Sequence, residues 1–137
     1  MDIENQLFFV TQDAIITNEE GKVLILCHNS DPDRWLLPGG KIKKNESWIE
    51  GLRREVKEET GITELTIDKI IDISSWIEPE AGYYVVTFLC SVSSEKTKNI
   101  KISNEHKKYA WVIPDESDKY NFWHPDIKKR IQKTLLR

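Results

Sequence analysis

Hydrophobic and polar residues recur along the chain in patterns that predict β-strands and two α-helices. The predicted strands cover residues 7–17, 22–27, 65–77, 83–92 and 108–112. A polar turn at residues 18–21 separates the first two strands and predicts a β-hairpin. Because strands outnumber helices and the helices are interspersed, we predict an α/β fold with helices on the faces of a mixed β-sheet. The length fits a single domain over residues 1–137.

The first predicted helix covers residues 46–60. Asn45 stands where an N-cap is expected, and Gly61 stands where a helix often ends in left-handed backbone. Three apolar residues at spacings of three and four would form one stripe along this helix: Ile49, Leu52 and Val56. The helix is therefore expected to be amphipathic.

Residues 125–136 predict a second amphipathic helix, with Ile127, Ile131 and Leu135 at four-residue spacing. The lysines of this helix are then expected on a solvated face. The balance of 20 basic and 23 acidic residues gives a net charge of −3, which argues against a polyanion-binding surface over the whole protein. We therefore expect no stable nucleic-acid complex.

The cysteines and the N-terminal residues favour a cytoplasmic protein. Cys27 and Cys90 stand far apart and form no CxxC pair or Cys/His cluster, so they are expected to be reduced thiols. The first residues include acidic side chains and no basic segment before the short apolar run, unlike a signal peptide. No apolar stretch approaches the roughly 20 residues of a membrane span, so no membrane partner is expected.

Three glutamates, Glu55, Glu58 and Glu59, crowd one flank of the first predicted helix. At about 100° per residue they fall within roughly 100° of one another, beside the apolar stripe. Charge runs on helices are usually solvated faces with basic partners. Like charges at i and i+4 nevertheless destabilise an isolated helix, and a bound cation would reverse that repulsion. Oxygen ligands alone suit Mg²⁺ or Mn²⁺ better than zinc or copper.

Two glycines, Gly39 and Gly40, precede these acids in the sequence LPGG. Glycine permits a sharp turn and lets a backbone carbonyl approach another group closely, although an ordinary turn would use it as well. Glu46 and Arg54 stand in fixed register with the glycines and the acids. This combination favours a metal site over a solvated helix face.

Residues 40–62 resemble the Nudix box, the signature of the Nudix hydrolase family. In the box a glycine, a glutamate, an Arg-Glu pair, an aliphatic residue, a Glu-Glu pair, a glycine and an aliphatic residue follow at set spacings. The matching positions are Gly40, Glu46, Arg54, Glu55, Val56, Glu58, Glu59, Gly61 and Ile62. The stretches at residues 35–39 and 109–112 also resemble the family, and the branch that the chain as a whole resembles is the MutT-like one. The resemblance implies a Nudix-type α/β/α sandwich with a mixed sheet.

The resemblance also implies hydrolysis of a nucleoside diphosphate linked to another group, X. Glu58 and Glu59 would be the principal ligands of Mg²⁺ or Mn²⁺, and the Gly39 carbonyl would complete the metal shell. Glu55 would bind metal or deprotonate water. The metal would neutralise the charge of the pyrophosphate, acidify a bound water and hold the leaving oxygen.

Two further residues have implied roles beside the metal ligands. Arg54 would hold Glu55 or Glu46 through charge-assisted hydrogen bonds. Glu105 stands six residues before Trp111, where a loop glutamate of the MutT-like branch approaches the metal site and acts as a base. A solvent-exposed loop residue is an equally weighted interpretation of Glu105.

Arg34, Lys41 and Asn121 are the candidate substrate contacts. The first expected substrate class is a (deoxy)nucleoside triphosphate, cleaved by a pyrophosphohydrolase reaction. The alternative is cleavage of an ADP-sugar or a dinucleotide. The group X, the base, the number of metal ions and the general base all stay open. Homodimers are common in the family, and the sequence leaves the oligomeric state open.

Two other functions are compatible with a Nudix fold. A non-catalytic module that senses a nucleotide usually lacks some of the box carboxylates, and this chain has all of them. An isomerase acting on an isoprenoid diphosphate would use an active-site cysteine. Cys90 lies in the middle of a predicted strand and is expected in the core.

Overall fold

A computed structural model describes residues 4–97 and 99–136. Seven strands form one sheet: β1 (Phe8–Thr17), β2 (Val23–His28), β3 (Trp35–Leu36), β4 (Gly39–Lys41), β5 (Thr66–Ile77), β6 (Gly82–Ser91) and β7 (His106–Val112). The helices are α1 (Trp48–Thr60) and α2 (Pro125–Gln132). Short 3₁₀ helices lie at Ser94–Thr97, Pro114–Lys119 and Lys133–Leu136. Neither α-helix in the described ranges has the length and apolar character needed to span a bilayer.

The sheet is mixed, as the sequence predicted. Its main path runs β3-β2-β1-β6-β5, while β4 also pairs with β1 and β7 also pairs with β2. Strands β1 and β6 are parallel, and the other pairs are antiparallel. The predicted hairpin is confirmed by the antiparallel pairing of Thr17 with Val23 across the turn.

Two short strands, β3 and β4, were not predicted, and the turn expected at Gly39 and Gly40 is wrong because these two residues begin β4. The two strands contain two and three residues, too few to show the two-residue alternation that identifies a strand. Both form because longer strands offer backbone partners: β3 pairs with β2, and β4 pairs with β1. Strand β7 also begins at His106, two residues before the predicted start.

The core has two parts, one on each face of the sheet. Alternate residues of β1 enter opposite parts, since Ala14 lies in one cluster and Ile15 in the other. Leu52 of α1 packs in the first cluster, and Ile127 of α2 packs in the second. The two helices therefore cover opposite faces of the sheet, which confirms the predicted α/β/α sandwich.

The N-cap of α1 is Ser47, so the predicted N-cap at Asn45 is wrong. The Ser47 hydroxyl accepts a hydrogen bond from the Glu50 amide at 3.2 Å, and the Glu50 carboxylate accepts one from the Ser47 amide at 3.0 Å. This reciprocal capping box fixes the start of the helix. Asn45 has a positive φ of 65° and belongs to the preceding turn. Gly61 ends the helix as predicted, with φ 78° and its amide donating to the Lys57 carbonyl.

The predicted apolar stripes are correct in part. Leu52 and Val56 are fully buried, but Ile49 is 37% exposed at the first turn of α1. Ile127 and Ile131 are buried in α2, whereas Leu135 is 51% exposed. The α-helix stops at Gln132 and continues as a 3₁₀ helix, so the 3.6-residue period no longer applies at residue 135.

We expect Ser47→Ala to lower the free energy of unfolding by about 1 kcal/mol, because the Glu50 amide loses its acceptor. Asn45→Gly should leave stability unchanged or raise it slightly, because glycine adopts the positive φ of that position without strain. Urea unfolding of both variants measures the difference. Equal losses would contradict the capping assignment.

Candidate active site

The active-site candidate is built where strand β4 meets the last two turns of α1. Glu59 is only 6% exposed, and its carboxylate accepts a hydrogen bond from the Gly39 amide at 2.8 Å. Strand β4 is held in place by β1, where Asp13 is the partner of Gly39. The pairing of two strands therefore positions the backbone that contacts Glu59.

Gly39 and Gly40 are required because of close contacts, since neither has a positive φ. A Cβ at Gly39 would lie 2.2 Å from the Gln12 carbonyl oxygen of the neighbouring strand. A Cβ at Gly40 would lie 2.5 Å from the carboxylate carbon of Glu55. The two glycines thus allow β4 to pack directly against β1 on one side and a helix carboxylate on the other.

Arg54 organises the acidic residues of the box. Its guanidinium binds Glu46 through two hydrogen bonds of 2.5 and 3.0 Å and donates to Glu55 at 2.7 Å. Glu58 is more exposed and lies 3.4 Å from the same guanidinium. The hydrogen bonds from Arg54, followed by one from the Lys43 amide, lower the pKa of Glu46 to about 2. Arg54 therefore contacts both Glu46 and Glu55, the two carboxylates that the family resemblance suggested as its partners.

Among the residues that the structure describes, no basic side chain is paired with Glu59. Burial, together with the charges of Glu55, Glu105 and Glu58, raises the pKa of Glu59 to about 8, against the opposing hydrogen bond from the Gly39 amide. Without a cation, Glu59 is therefore mostly protonated at neutral pH. A divalent cation would stabilise its ionised form.

The donor set fits a hard divalent cation in its chemistry. Glu55 and Glu59 lie against Gly40 and Gly39 of β4 respectively, and both offer the carboxylate oxygens that such a cation prefers. Within residues 4–97 and 99–136, however, no three His, Cys, Asp or Glu side chains converge closely enough to hold one metal ion. The predicted ligand roles stay predictions.

Glu105 lies in the loop before β7 and is exposed. Its backbone carbonyl accepts a hydrogen bond from the Asn29 amide at 2.9 Å, which fastens this loop to the end of β2. Its negative charge contributes to the raised pKa of Glu59, so the loop lies near the acidic cluster. This placement is compatible with the predicted role of Glu105 as a base.

A cleft of about 790 Å³ opens beside β4. Gly39 and Gly40 line it together with residues of β1, of the last part of β5 and of the start of α2. The side chains that contribute polar or aromatic groups are Thr11, Asp13, Ser74, Ser75, Trp76, Trp123, His124, Asp126 and Arg130. A molecule that contacts the acidic cluster therefore has room to extend into this cleft.

The predicted substrate contacts do not line the cleft. Arg34 stacks over the ring of Trp123 at 4.8 Å and so lies next to its rim. Lys41 lies over the ring of Phe9 at 4.7 Å. The side-chain amide of Asn121 donates to the Asp33 carbonyl at 3.0 Å, which gives it a structural role in its loop.

Sequence reasoning missed Arg130, to which it assigned no role. Arg130 is 7% exposed and lines the cleft. The sequence did contain a signal that Arg130 is buried: it lies between Ile127 and Ile131, close to the apolar face of α2.

Cys90 does not fit the role of a catalytic cysteine. It is 1% exposed in the middle of β6, and burial raises the pKa of its thiol to about 12. A reactive cysteine needs a thiolate that substrate can reach. The prediction that Cys90 belongs to the core is confirmed.

Comparison with known proteins gives the family. The NUDIX domain matches residues 7–133. A relative, the nucleoside triphosphatase NudI of Escherichia coli O139:H28, is 28% identical over 123 residues, which cover 81% of this chain and 84% of that protein.

Solved structures agree with this match. The MutT protein from Methanosarcina mazei Go1 superposes with a TM-score of 0.75 at 29% identity, covering 97% of this chain and 99% of that one. The Caenorhabditis elegans Ap4A hydrolase, at 20% identity and a TM-score of 0.76 over 93% and 96% of the two chains, shows the same fold. The chain therefore belongs to the Nudix family, and it is a Nudix hydrolase of the MutT-like branch.

Proposed function

We propose that this enzyme hydrolyses a phosphoanhydride bond in a nucleoside diphosphate linked to a group X, with Mg²⁺ or Mn²⁺ as cofactor. A (deoxy)nucleoside triphosphate is the first substrate class, in line with the name of the NudI relative. The observation that carries the proposal is the buried Glu59, whose carboxylate accepts a hydrogen bond from the amide of Gly39, a residue that also lines the cleft.

Glu55, Glu58, Glu59 and the Gly39 carbonyl would hold the cation. When bound, the cation supplies positive charge against the polyphosphate and lowers the pKa of water. Arg54 keeps Glu55 and Glu46 oriented through its hydrogen bonds, so the carboxylates do not have to reorganise when substrate arrives. The cleft next to Gly39 and Gly40 would hold the nucleoside.

In the reaction, a water oxygen forms a bond to one phosphorus, and the bridging oxygen leaves with the other phosphate. A triphosphate cleaved at its inner bridge gives a nucleoside monophosphate and pyrophosphate. The proton of the attacking water needs an acceptor near the acidic cluster. Two glutamates are the candidates for this base: Glu55, which lies against Gly40 of β4, and Glu105, in the loop before β7.

A panel of ribo- and deoxyribonucleoside triphosphates, ADP-sugars and dinucleoside polyphosphates tests the proposal. We expect Mg²⁺- or Mn²⁺-dependent turnover of at least one triphosphate, with pyrophosphate as the product and no turnover in EDTA. The released phosphate or pyrophosphate is measured with and without each metal. Preferential cleavage of an ADP-sugar or dinucleotide would select the alternative substrate class, and tight binding without any cleavage would select the sensing module.

A further inference from the structure

The cleft uses one face of the sheet, and α1 packs on the other face. Successive side chains of a strand point to opposite faces, so Thr11 and Val85, which line the cleft, place Val10 and Val86 on the side of α1. We define the apolar face as the seven large apolar side chains on the α1 side that stay 37–66% exposed: Phe8, Trp48, Ile49, Ile70, Ile73, Ile77 and Tyr84. Helix α1 therefore leaves much of this side of the sheet open to solvent.

The residues of the apolar face form one continuous surface. At one end, Ile70 of β5 is paired with Phe88 of β6, and the ring of Trp48 from α1 stacks on the Phe88 ring at 5.1 Å. An apolar groove of about 590 Å³ lies at this end, between α1 and β5. At the other end, the rings of Phe8 and Tyr84 lie 4.7 Å apart. The isoleucines of β5 connect the two ends, so the surface extends across β1, β6 and β5 to the start of α1.

Strand β5 forms the margin of the apolar face and one end of the sheet. It comes last in the main strand order and, in the described part of the chain, pairs only with β6. Natural edge strands are commonly protected by charged residues or by β-bulges. The pairing of β5 is irregular between Ile67 and Asp72, but it is regular from Ile73 to Ile77, and residues 73–77 include no charged side chain. This half of the edge therefore lacks the usual protection in a single copy of the chain.

The extent of the apolar face matches half of a dimer interface. Burying a whole aromatic side chain removes about 150–250 Å² from water, so at these exposures the seven side chains together present on the order of 600 Å² of apolar surface. The largest apolar patch on a typical monomer is roughly 300–600 Å². A stable interface takes roughly 800 Å² from each partner, including its polar rim. With a rim added, the apolar face is therefore large enough to hold a stable dimer together.

The chemistry of the apolar face fits a second copy of the chain. The cores of protein interfaces and the interfaces of homodimers are about 65% apolar, whereas a non-obligate interface as a whole is about as apolar as the rest of the surface. The seven side chains carry no charge, and only the Trp48 indole and the Tyr84 hydroxyl are polar. The charged residues that border the groove have both signs: Arg53, Asp68 and Lys69. A two-fold axis therefore does not force one sign of charge against itself.

We propose that the chain forms a homodimer in which the apolar face of one copy packs against the same face of a second copy. A two-fold axis places the same residues of both copies in the interface, and it shields the unprotected half of both β5 edges. Both clefts stay open, because each lies on the opposite face of its own sheet. The proposal does not depend on the proposed function.

Sedimentation velocity of the full chain over about 1–100 µM measures the association. We expect wild type to be a dimer at the upper end of this range. Ile73→Lys and Ile77→Lys should each raise the dimer Kd roughly 100-fold, because the new ammonium group loses water in the interface and the substitution occurs twice in a symmetric dimer.

Ile113→Lys is the matched control. Ile113 follows β7, outside the apolar face, and is 44% exposed, so the same substitution there should leave the wild-type Kd unchanged. Ile73 and Ile77 are 55% and 66% exposed in the single chain, so lysine at either position is compatible with folding, which circular dichroism checks. If Ile73→Lys does not fold, Ile73→Thr keeps the β-branched side chain and should raise Kd about 10-fold.

Four outcomes would overturn the proposal. Wild type could stay monomeric at the highest concentration, or form a dimer whose Kd neither lysine variant changes, which would assign the dimer to another surface. Oligomers that keep growing with concentration would show an open association without a two-fold axis. A monomer that binds vesicles of phosphatidylcholine and phosphatidylglycerol, and loses that binding in Ile73→Lys, would assign the apolar face to a lipid surface.

Discussion

Glu59→Gln is expected to reduce kcat/KM by about 10²- to 10³-fold at saturating Mg²⁺, which corresponds to about 3–4 kcal/mol of transition-state stabilisation. The substituted amide can still accept the hydrogen bond that the Gly39 amide donates to Glu59 at 2.8 Å, so the loop and helix should keep their places. What disappears is the negative charge at the centre of the acidic cluster. The lower kcat/KM would therefore result from the missing carboxylate charge and not from a change in structure.

The same substitution should stabilise the metal-free protein. The folded-state pKa of Glu59 is raised to about 8 from an ordinary value of 4.5, so folding favours the protonated form. The contribution of Glu59 to stability is complete below pH 4.5 and is lost as the pH rises towards 8. At pH 7 the metal-free protein with Glu59 is therefore less stable than the glutamine variant by roughly 3 kcal/mol.

Thermal unfolding in EDTA between pH 4 and 8 measures this difference, and steady-state turnover of the preferred nucleotide measures activity. The Tm of Glu59→Gln should exceed that of wild type at pH 8 and approach it at pH 4. Saturating Mg²⁺ should raise the Tm of wild type more than that of the variant, since a ligand bound only by the folded state stabilises it. Glu95→Gln, which removes a charge from an exposed 3₁₀ turn, is the control for net charge. Full activity in Glu59→Gln would contradict a metal role for Glu59.

Gly40→Ala is expected to lower kcat/KM by about 10²-fold with little change in stability. The new methyl group would lie 2.5 Å from the carboxylate carbon of Glu55, within the space that this carboxylate occupies. Because the clash falls on the end of a flexible side chain, Glu55 can move away at small cost to the fold. The Glu55 carboxylate would then move away from residue 40 and lose its 2.7 Å hydrogen bond with Arg54.

Gly21→Ala is the matched control for Gly40→Ala. Gly21 has φ 76°, and nothing lies within 4 Å of the position that a Cβ would occupy, so alanine there introduces backbone strain without a collision. We expect this control to lose about 1 kcal/mol of stability and to retain wild-type kcat/KM. Chemical unfolding and initial rates measure both variants. A Gly40→Ala enzyme as active as wild type would show that catalysis does not need the Glu55 carboxylate to lie against β4.

The parts of the fold that could be predicted are those with a repeating local pattern. The helix at residues 46–60 and the strands around residues 7–17 and 83–92 all contain enough residues to show their period. The start of α1 was missed by two residues because Asn45 and Ser47 are both good N-caps in isolation. Only the contact between Ser47 and Glu50 decides between them.

The wall of the cleft could not be predicted in the same way. Asp13 and Arg130 are 117 residues apart in the chain, and no local spacing connects them. Arg130 is buried because α2 packs on the sheet, and the Asn121 side chain donates to the Asp33 carbonyl across a long separation in sequence. Contacts of this kind depend on the sheet order, which brings β1 and β5 together through β6.

The sequence alone determined the helix with its crowded glutamates and the glycine pair before it, because those residues lie within one local segment whose spacing sets their relative positions. Tertiary structure decided what surrounds them. Burial against β4 raises the pKa of Glu59, and the packing of α2 on the sheet creates a cleft with Asp13 and Arg130 in its wall. Both effects come from desolvation and contact between distant segments, which no local pattern of residues encodes.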